Sequence, residues 1–295
     1  MAFRQLLRNR LAVVSAVFII FVVFVAAFAS FIAPYDFSTN HLEDNYALPG
    51  SKYLLGADAL GRDILSRTIY GARVSISVAV VAATVSLVVG ITYGLISGYF
   101  GGRIDDIMMR IVDFLYGLPI LIVVILMQVY FKAISRRGAT GLAGLVISAN
   151  QAMGGLLFIF IAMGLLNWIT MARITRGQVL SYKEKDFILA AHMVGASVPR
   201  IIFRHLLPNV LGPCIVQETL SIPGYILTEA FLSFIGLGVD PPTPSWGIMI
   251  QEGYQALRSY PHVLLAPSMA LTLTVLAFNF LGDGLRDALD PRLYE

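Results

Sequence analysis

Charge is scarce in this chain. Only 13% of its 295 residues are Asp, Glu, Lys or Arg, against about 25% in a soluble globular domain. With 57% hydrophobic residues and a mean hydropathy of +0.77, a soluble fold is excluded and an all-α integral membrane protein is expected. Cysteine is almost absent: Cys214 stands alone, which rules out an internal disulfide or a cysteine-based metal cluster and suits a small apolar packing role. No Gly-Lys dipeptide occurs, so the chain lacks a phosphate-cradling loop. His41, His192, His205 and His262 are dispersed, without the helical pair that zinc proteases need, and no Gly-x-Ser-x-Gly elbow exists. These absences give an enzyme no support, and no cofactor or metal is expected in the chain itself. A net charge of +3 reflects loop bias rather than nucleic-acid binding.

What is present is hydrophobic length. Leu11–Ile32 carries no charge, about 33 Å of helix against a hydrocarbon core of about 30 Å. Arg4, Arg8 and Arg10 precede it, which sets the amino terminus inside. Ala33–Arg73 is polar and broken by Pro and Gly, an extracytoplasmic segment with a surface helix expected over Asp58–Tyr70. Further spans are expected within Val74–Gly98, Ile107–Phe131, Met153–Met171, from Val210 to about Gly236, and over Val263–Leu281. Tyr99–Asp106 reads as a turn, Lys132–Arg137 as an outer loop, and Gly138–Gly155 as a glycine-rich connection. Val239–His262 reads as a second outer loop. Six spans put both termini in the cytoplasm, and most of the 21 Lys and Arg then fall inside. The chain divides into 1–73, holding the amino-terminal stub, first span and outer segment, and 74–295, holding five further spans.

One long stretch reads as a soluble amphipathic helix pair: Asp186–Asn209, DFILAAHMVGASVPRIIFRHLLPN. Gly195-Ala196-Ser197 ends one helix and starts the next, with Ser197 as N-cap and Pro199 in the first turn; Pro208 is expected to stop the second helix. Set among Arg173, Arg176, Lys183, Lys185, Arg200 and Arg204, it has no lipid-side role, so a partner docks on it. Within the spans, Glu218, Glu229 and Asp113 each have two readings: contact with a transported solute or gate, or structural pairing, for instance with Arg73. Asn279 reads as an interhelix hydrogen-bonding residue. Pro223-Gly224, between the two glutamates, is expected to break the fifth span.

The helix pair resembles the EAA loop of permease subunits of ABC importers, here about 173–209. Ala190, Ala191, Gly195, Leu207 and Pro208 match in register, while Leu189 replaces the pattern's Glu and His205 its hydrophobe. Three further stretches are similar to the second permease subunit of dipeptide and oligopeptide importers, a branch that includes nickel and opine systems. They are GADALGRDILSRTIYGARVS at Gly56–Ser75, PPTPSWG at Pro241–Gly247, and LTVLAFNFLGDGLRDALDPR at Leu273–Arg292. The resemblance implies a six-helix type I importer permease with a cytoplasmic coupling helix, in a bacterial cytoplasmic membrane. It also implies a homologous second permease, two cytoplasmic ATPase subunits that bind ATP and Mg, and an extracytoplasmic substrate-binding protein. The coupling residues would be Asp186, Leu189, Ala190, Ala191, Gly195, Ala196, Ser197, His205, Leu207 and Pro208. The expected cargo is a di- or oligopeptide moved by alternating access; the alternatives are the same architecture carrying nickel or another small solute, and a secondary transporter.

Overall fold

The structure, a computed structural model, describes residues 5–137 and 141–289. Its elements are α1 (Arg10–Ala27), α2 (Ile64–Phe100), α3 (Gly102–Tyr116), α4 (Ile120–Arg137), α5 (Gly141–Ala152), α6 (Leu156–Lys183), α7 (Asp186–Met193), α8 (Val198–Phe234), α9 (Trp246–Ala256) and α10 (His262–Leu289). Among the described residues, α1, α2, α6, α8 and α10 are each long and apolar enough to cross a membrane. The pair α3 and α4, bent by 78°, passes the same test only when taken together. The fold class is therefore all-α and membrane-spanning, with five to six crossings.

Several element boundaries differ from the sequence reading, each for a local reason. The expected surface helix over Asp58–Tyr70 is absent. Ala57 bridges Asp63 across a tight loop with Gly61 at φ +71°, and α2 starts only at Ile64. Asp63 caps it by accepting from the Ser66 amide at 2.7 Å, and nothing then interrupts the helix until Phe100. The 73/74 division thus falls inside one helix. The first span ends at Ala27, with Phe28 separating it from one further turn, Ala29–Ile32. Pro119, two residues after Gly117, splits the expected third span into α3 and α4. Lys132–Arg137 forms the last turns of α4 rather than a loop, since it contains neither Gly nor Pro. Of the glycine-rich connection, 138–140 lie outside the described residues. The rest forms α5 and the Gly154-Gly155 corner, with φ +64° and +87°, so α6 begins at Leu156 and runs to Lys183. The outer loop Val239–His262 contains α9, and α10 continues past Leu281 to Leu289.

The second helix of the pair does not stop at Pro208. It runs on as α8, through a π-helical stretch Ile201–Leu206, past Pro208, Pro213 and Pro223 to Phe234. A proline deprives the carbonyl one turn earlier of its donor and crowds it. The wide turn immediately before Pro208 shifts the hydrogen-bond register where that crowding would fall.

Packing is closest between α2 and α6. Gly90, Gly94 and Gly98 form one stripe, and added Cβ atoms would lie 2.6, 2.5 and 2.8 Å from Met171, Thr175 and Val179 respectively. Small residues at this spacing let backbones approach without a hydrophobic driving force. The carboxy-terminal motif works the same way. A Cβ on Gly282 would strike Leu220, and one on Gly284 would sit 2.4 Å from the Ala12 Cβ, so α10 seats against α8 and α1 together. In PPTPSWG, Ser245 caps α9 and the indole of Trp246, 1% exposed, donates to the Thr68 carbonyl at 3.0 Å. Gly247 presses against the Ala230 backbone of α8.

Candidate functional site

At one end of the bundle α7 and the start of α8 form a capped corner. Gly195 at φ +75° closes α7: its amide donates to the His192 carbonyl at 3.0 Å, and the Ala196 amide donates to the Ala191 carbonyl at 3.0 Å. This is the Schellman arrangement, and glycine supplies its left-handed residue without a Cβ penalty. Ser197 has extended backbone at the start of α8, but its side chain makes no capping bond, so Pro199 alone favours that start. Ile188 and Ala191 are buried against Tyr99, Val179, Ile201 and Leu206, which hold the corner to α2 and α6. Lys183 ties the same corner by donating to the Tyr99 carbonyl at 2.6 Å.

The opposite face of the corner is open and apolar. Met193 is 87% and Val194 84% exposed; Leu189, Ala190 and Gly195 are exposed too. Asp186 and Pro208 are exposed at the two ends of this region, while Ala196, His205 and Leu207 are half-buried. A cleft of about 420 Å³ lies between Ala190, Val194 and Gly195 on one side and Arg200, Arg204 and His205 on the other. All ten residues expected to couple to a partner thus fall on one corner.

The three acids expected in the spans are not brought together. Asp113 is on α3, paired with Arg173 of α6 at 2.5 Å, and the Arg173 guanidinium lies 4.1 Å from the centre of the Tyr116 ring. Glu218 is buried and accepts from Ser86 at 2.9 Å, opposite a π-helical turn of α2 over Ser86–Gly90. Glu229 is fully buried, accepting from Ser75 at 2.8 Å and Ser233 at 2.6 Å. Neither glutamate pairs with Arg73. Helix α8 is unbroken between them, so Pro223-Gly224 opens no gap.

Two features were not anticipated. The first is a groove between α2 and α6. Its mouth, about 560 Å³, is lined by Tyr70, Arg73, Ser77, Phe160 and Thr243 among others. It continues through the shared residues Val81 and Phe160 into an apolar cleft of about 460 Å³ between Val85, Val89, Gly164 and Trp168. The i, i+3, i+7 spacing of Tyr70, Arg73 and Ser77 was the available signal. The second is an ion network behind the GADALGRDILSR motif. Asp58 accepts from the Leu60 and Arg62 amides at 2.8 and 3.0 Å, from Arg62 Nε at 2.7 Å, and from Arg67 Nη1. Both arginines also reach Glu252 of α9, at 3.2 and 2.6 Å. Asp58, Arg62 and Arg67 are all buried. In the same segment Lys52 holds the half-buried Asp44 carboxyl below its ordinary range by hydrogen bonding.

Comparison with known proteins identifies the family. Residues 90–294 match the family described as binding-protein-dependent transport system inner membrane component. Residues 1–49 match the N-terminal TM domain of oligopeptide transport permease C. The chain is 43% identical over 285 residues to the oligopeptide transport system permease protein OppC of Bacillus subtilis (strain 168), covering 97% of this chain and 87% of that one. It is 42% identical over 293 residues to the dipeptide transport system permease protein DppC of the same organism, covering 99% and 85%. With OppC of Escherichia coli (strain K12) it shares 39% over 293 residues, covering 99% and 90%. The chain belongs to the family of binding-protein-dependent transport system inner membrane components.

Proposed function

We propose that this chain is one permease half of an ATP-driven importer that carries di- or oligopeptides across the bacterial cytoplasmic membrane by alternating access. A homologous permease supplies the other half, two cytoplasmic ATPase subunits supply ATP hydrolysis, and an extracytoplasmic binding protein delivers cargo. Both termini and the α7 corner are cytoplasmic. The relatives carry oligopeptide and dipeptide transport in their names, which favours peptides over nickel. The group His41, Glu43 and Asp44 adds no support for a metal, since Asp44 already receives Lys52 and Tyr53.

The observation that carries this reading is the exposed face of the α7 corner. Leu189, Met193 and Val194 stand out from a rigid, glycine-capped turn beside Arg200 and Arg204. An apolar knob among arginines belongs against protein rather than lipid. Ile188 and Ala191, buried beneath it, give the corner its grip on α2, α6 and α8, so a push on the knob reaches the spans.

Substitution of Gly195 tests this. Nothing among the described residues lies within 4 Å of a Cβ there, so only backbone geometry and a partner limit the position. Gly195→Asn, which accepts left-handed geometry, keeps the corner folded, whereas Gly195→Arg adds a bulky cation to the docking face. Gly195→Arg is expected to leave the sister permease bound, weaken retention of the ATPases on purification, and abolish peptide uptake in cells. Normal uptake by a well-expressed Gly195→Arg variant would refute the coupling role.

A further inference from the structure

We propose that Arg73 is the carboxylate-binding residue at the mouth of the transport path, and that the α2/α6 groove is this chain's wall of that path. The inference rests on the peptide-import reading and adds how the cargo is recognised inside the membrane domain.

The groove has the reach a path requires. Its lining runs along one stripe of α2 from Arg73 to Val89, about 24 Å of helix against a hydrocarbon core of about 30 Å. Polarity changes along it. Arg73, Ser77 and Thr243 cluster at the mouth, while the deeper part is walled by valines, Phe160 and Trp168. The mouth, about 560 Å³, falls within the usual range of small-ligand sites.

Among the described residues, Arg73 is the one charged side chain lining that mouth. It is exposed, and no acid among the described residues pairs with it. The acids of the surrounding segments have other partners: Asp36 accepts from the Ser38 amide at 2.7 Å, Asp58 and Glu252 hold Arg62 and Arg67, Asp240 pairs with Lys132 at 3.3 Å, and Glu229 accepts from two serines. A guanidinium presents a planar fork of donors that matches a carboxylate in two parallel hydrogen bonds. Every unmodified peptide ends in a carboxylate, whatever its side chains. A cation at the entrance to an otherwise apolar groove therefore recognises the one group that all such cargo shares. The Phe37 and Tyr70 rings, 4.6 Å apart at the rim, add apolar surface of no particular sequence preference.

The test uses the whole transporter, with sister permease, ATPases and binding protein, in proteoliposomes. Uptake of trialanine is compared with that of trialanine amide, and the binding protein's own Kd ratio for the two is measured separately. The wild-type complex is expected to prefer the free acid about tenfold beyond the binding protein's ratio, the scale of one charge-assisted contact. Arg73→Gln should remove that excess while leaving the complex intact on purification, and Arg73→Lys should retain part of it. An unchanged excess in Arg73→Gln would overturn the assignment. So would loss of the sister permease from the Arg73→Gln complex, since Arg73 would then serve assembly. Wild-type complex that imports neither peptide would bring down the import reading itself, an outcome separable from the variant's.

Discussion

The Asp58 network offers the most exposed quantitative prediction. Asp58→Ala deletes four acceptor contacts, two to backbone amides and two to buried guanidiniums. Arg62 and Arg67, 7% and 2% exposed, are then left to share Glu252 alone. Removing one partner from a buried ion pair costs about 3–5 kcal/mol, because the remaining charge is left uncompensated. Glu252 is 31% exposed at its side chain, so it and water recover part of that, which sets the expectation at the lower figure. Asp58→Asn should do little better: it keeps one acceptor for the amides but turns an NH2 towards two donors. The assay is the temperature at which the detergent-solubilised complex loses its monodisperse peak. A fall of at least about 6 °C is expected for Asp58→Ala. The cycle with Arg67→Met sharpens the test. Removing both charges leaves Arg62 opposite Glu252, so the double variant should be more stable than the two single losses predict, by at least about 1 kcal/mol. Strict additivity, or an unchanged midpoint in Asp58→Ala, would show that the network does not anchor α2 and the preceding segment to α9.

Other outcomes follow from the same structure. Glu229→Gln should leave uptake near wild type, because the Ser75 and Ser233 hydroxyls can rotate to pair with an amide; Glu229→Leu strands both hydroxyls and should cost about 1–3 kcal/mol of stability, read as a lower midpoint. Loss of uptake with an unchanged midpoint in Glu229→Gln would instead make this carboxylate a transport residue. With Cys214 replaced by Ala, a cysteine at the exposed Lys185 should resist a membrane-impermeant thiol reagent in intact cells, and one at the exposed Ser51 should react. The reverse pattern would invert the topology. The isolated chain should neither bind nor hydrolyse ATP, and ATPase activity in a preparation free of partner subunits would contradict the transport-subunit reading.

Spans were legible in the sequence because lipid demands long uncharged helices, and composition reports that directly. Helix ends were not, because proline and glycine carry different weight in different settings. Pro119 follows Gly117 and bends the chain by 78°, yet Pro213 and Pro223 sit inside α8 without breaking it. Helix α8 packs against α2, α6, α9 and α10, and that tertiary contact outweighs one lost hydrogen bond. The corner at Gly195 was legible for the opposite reason. A Schellman turn is a local device, set by three consecutive residues and one positive φ.

The candidate path was the least legible part, and Glu229 explains why. A carboxylate at membrane depth is expensive, so sequence reasoning turns to it first. One of its partners, Ser233, is a turn away on the same helix and visible in the sequence, but the other, Ser75, is 154 residues distant. Without that second contact the acid looks unpaired, and an unpaired acid looks functional. Arg73 is the converse: an arginine next to an apolar run looks like an ordinary interfacial anchor. Only the fold reveals that it heads a groove, and that no acid among the described residues pairs with it. On the proposed two-permease reading, groups facing cargo need no partner within their own chain, since the opposite wall would lie on another polypeptide. The charge left uncompensated by its own fold is therefore a better pointer to the path than the charge buried most deeply.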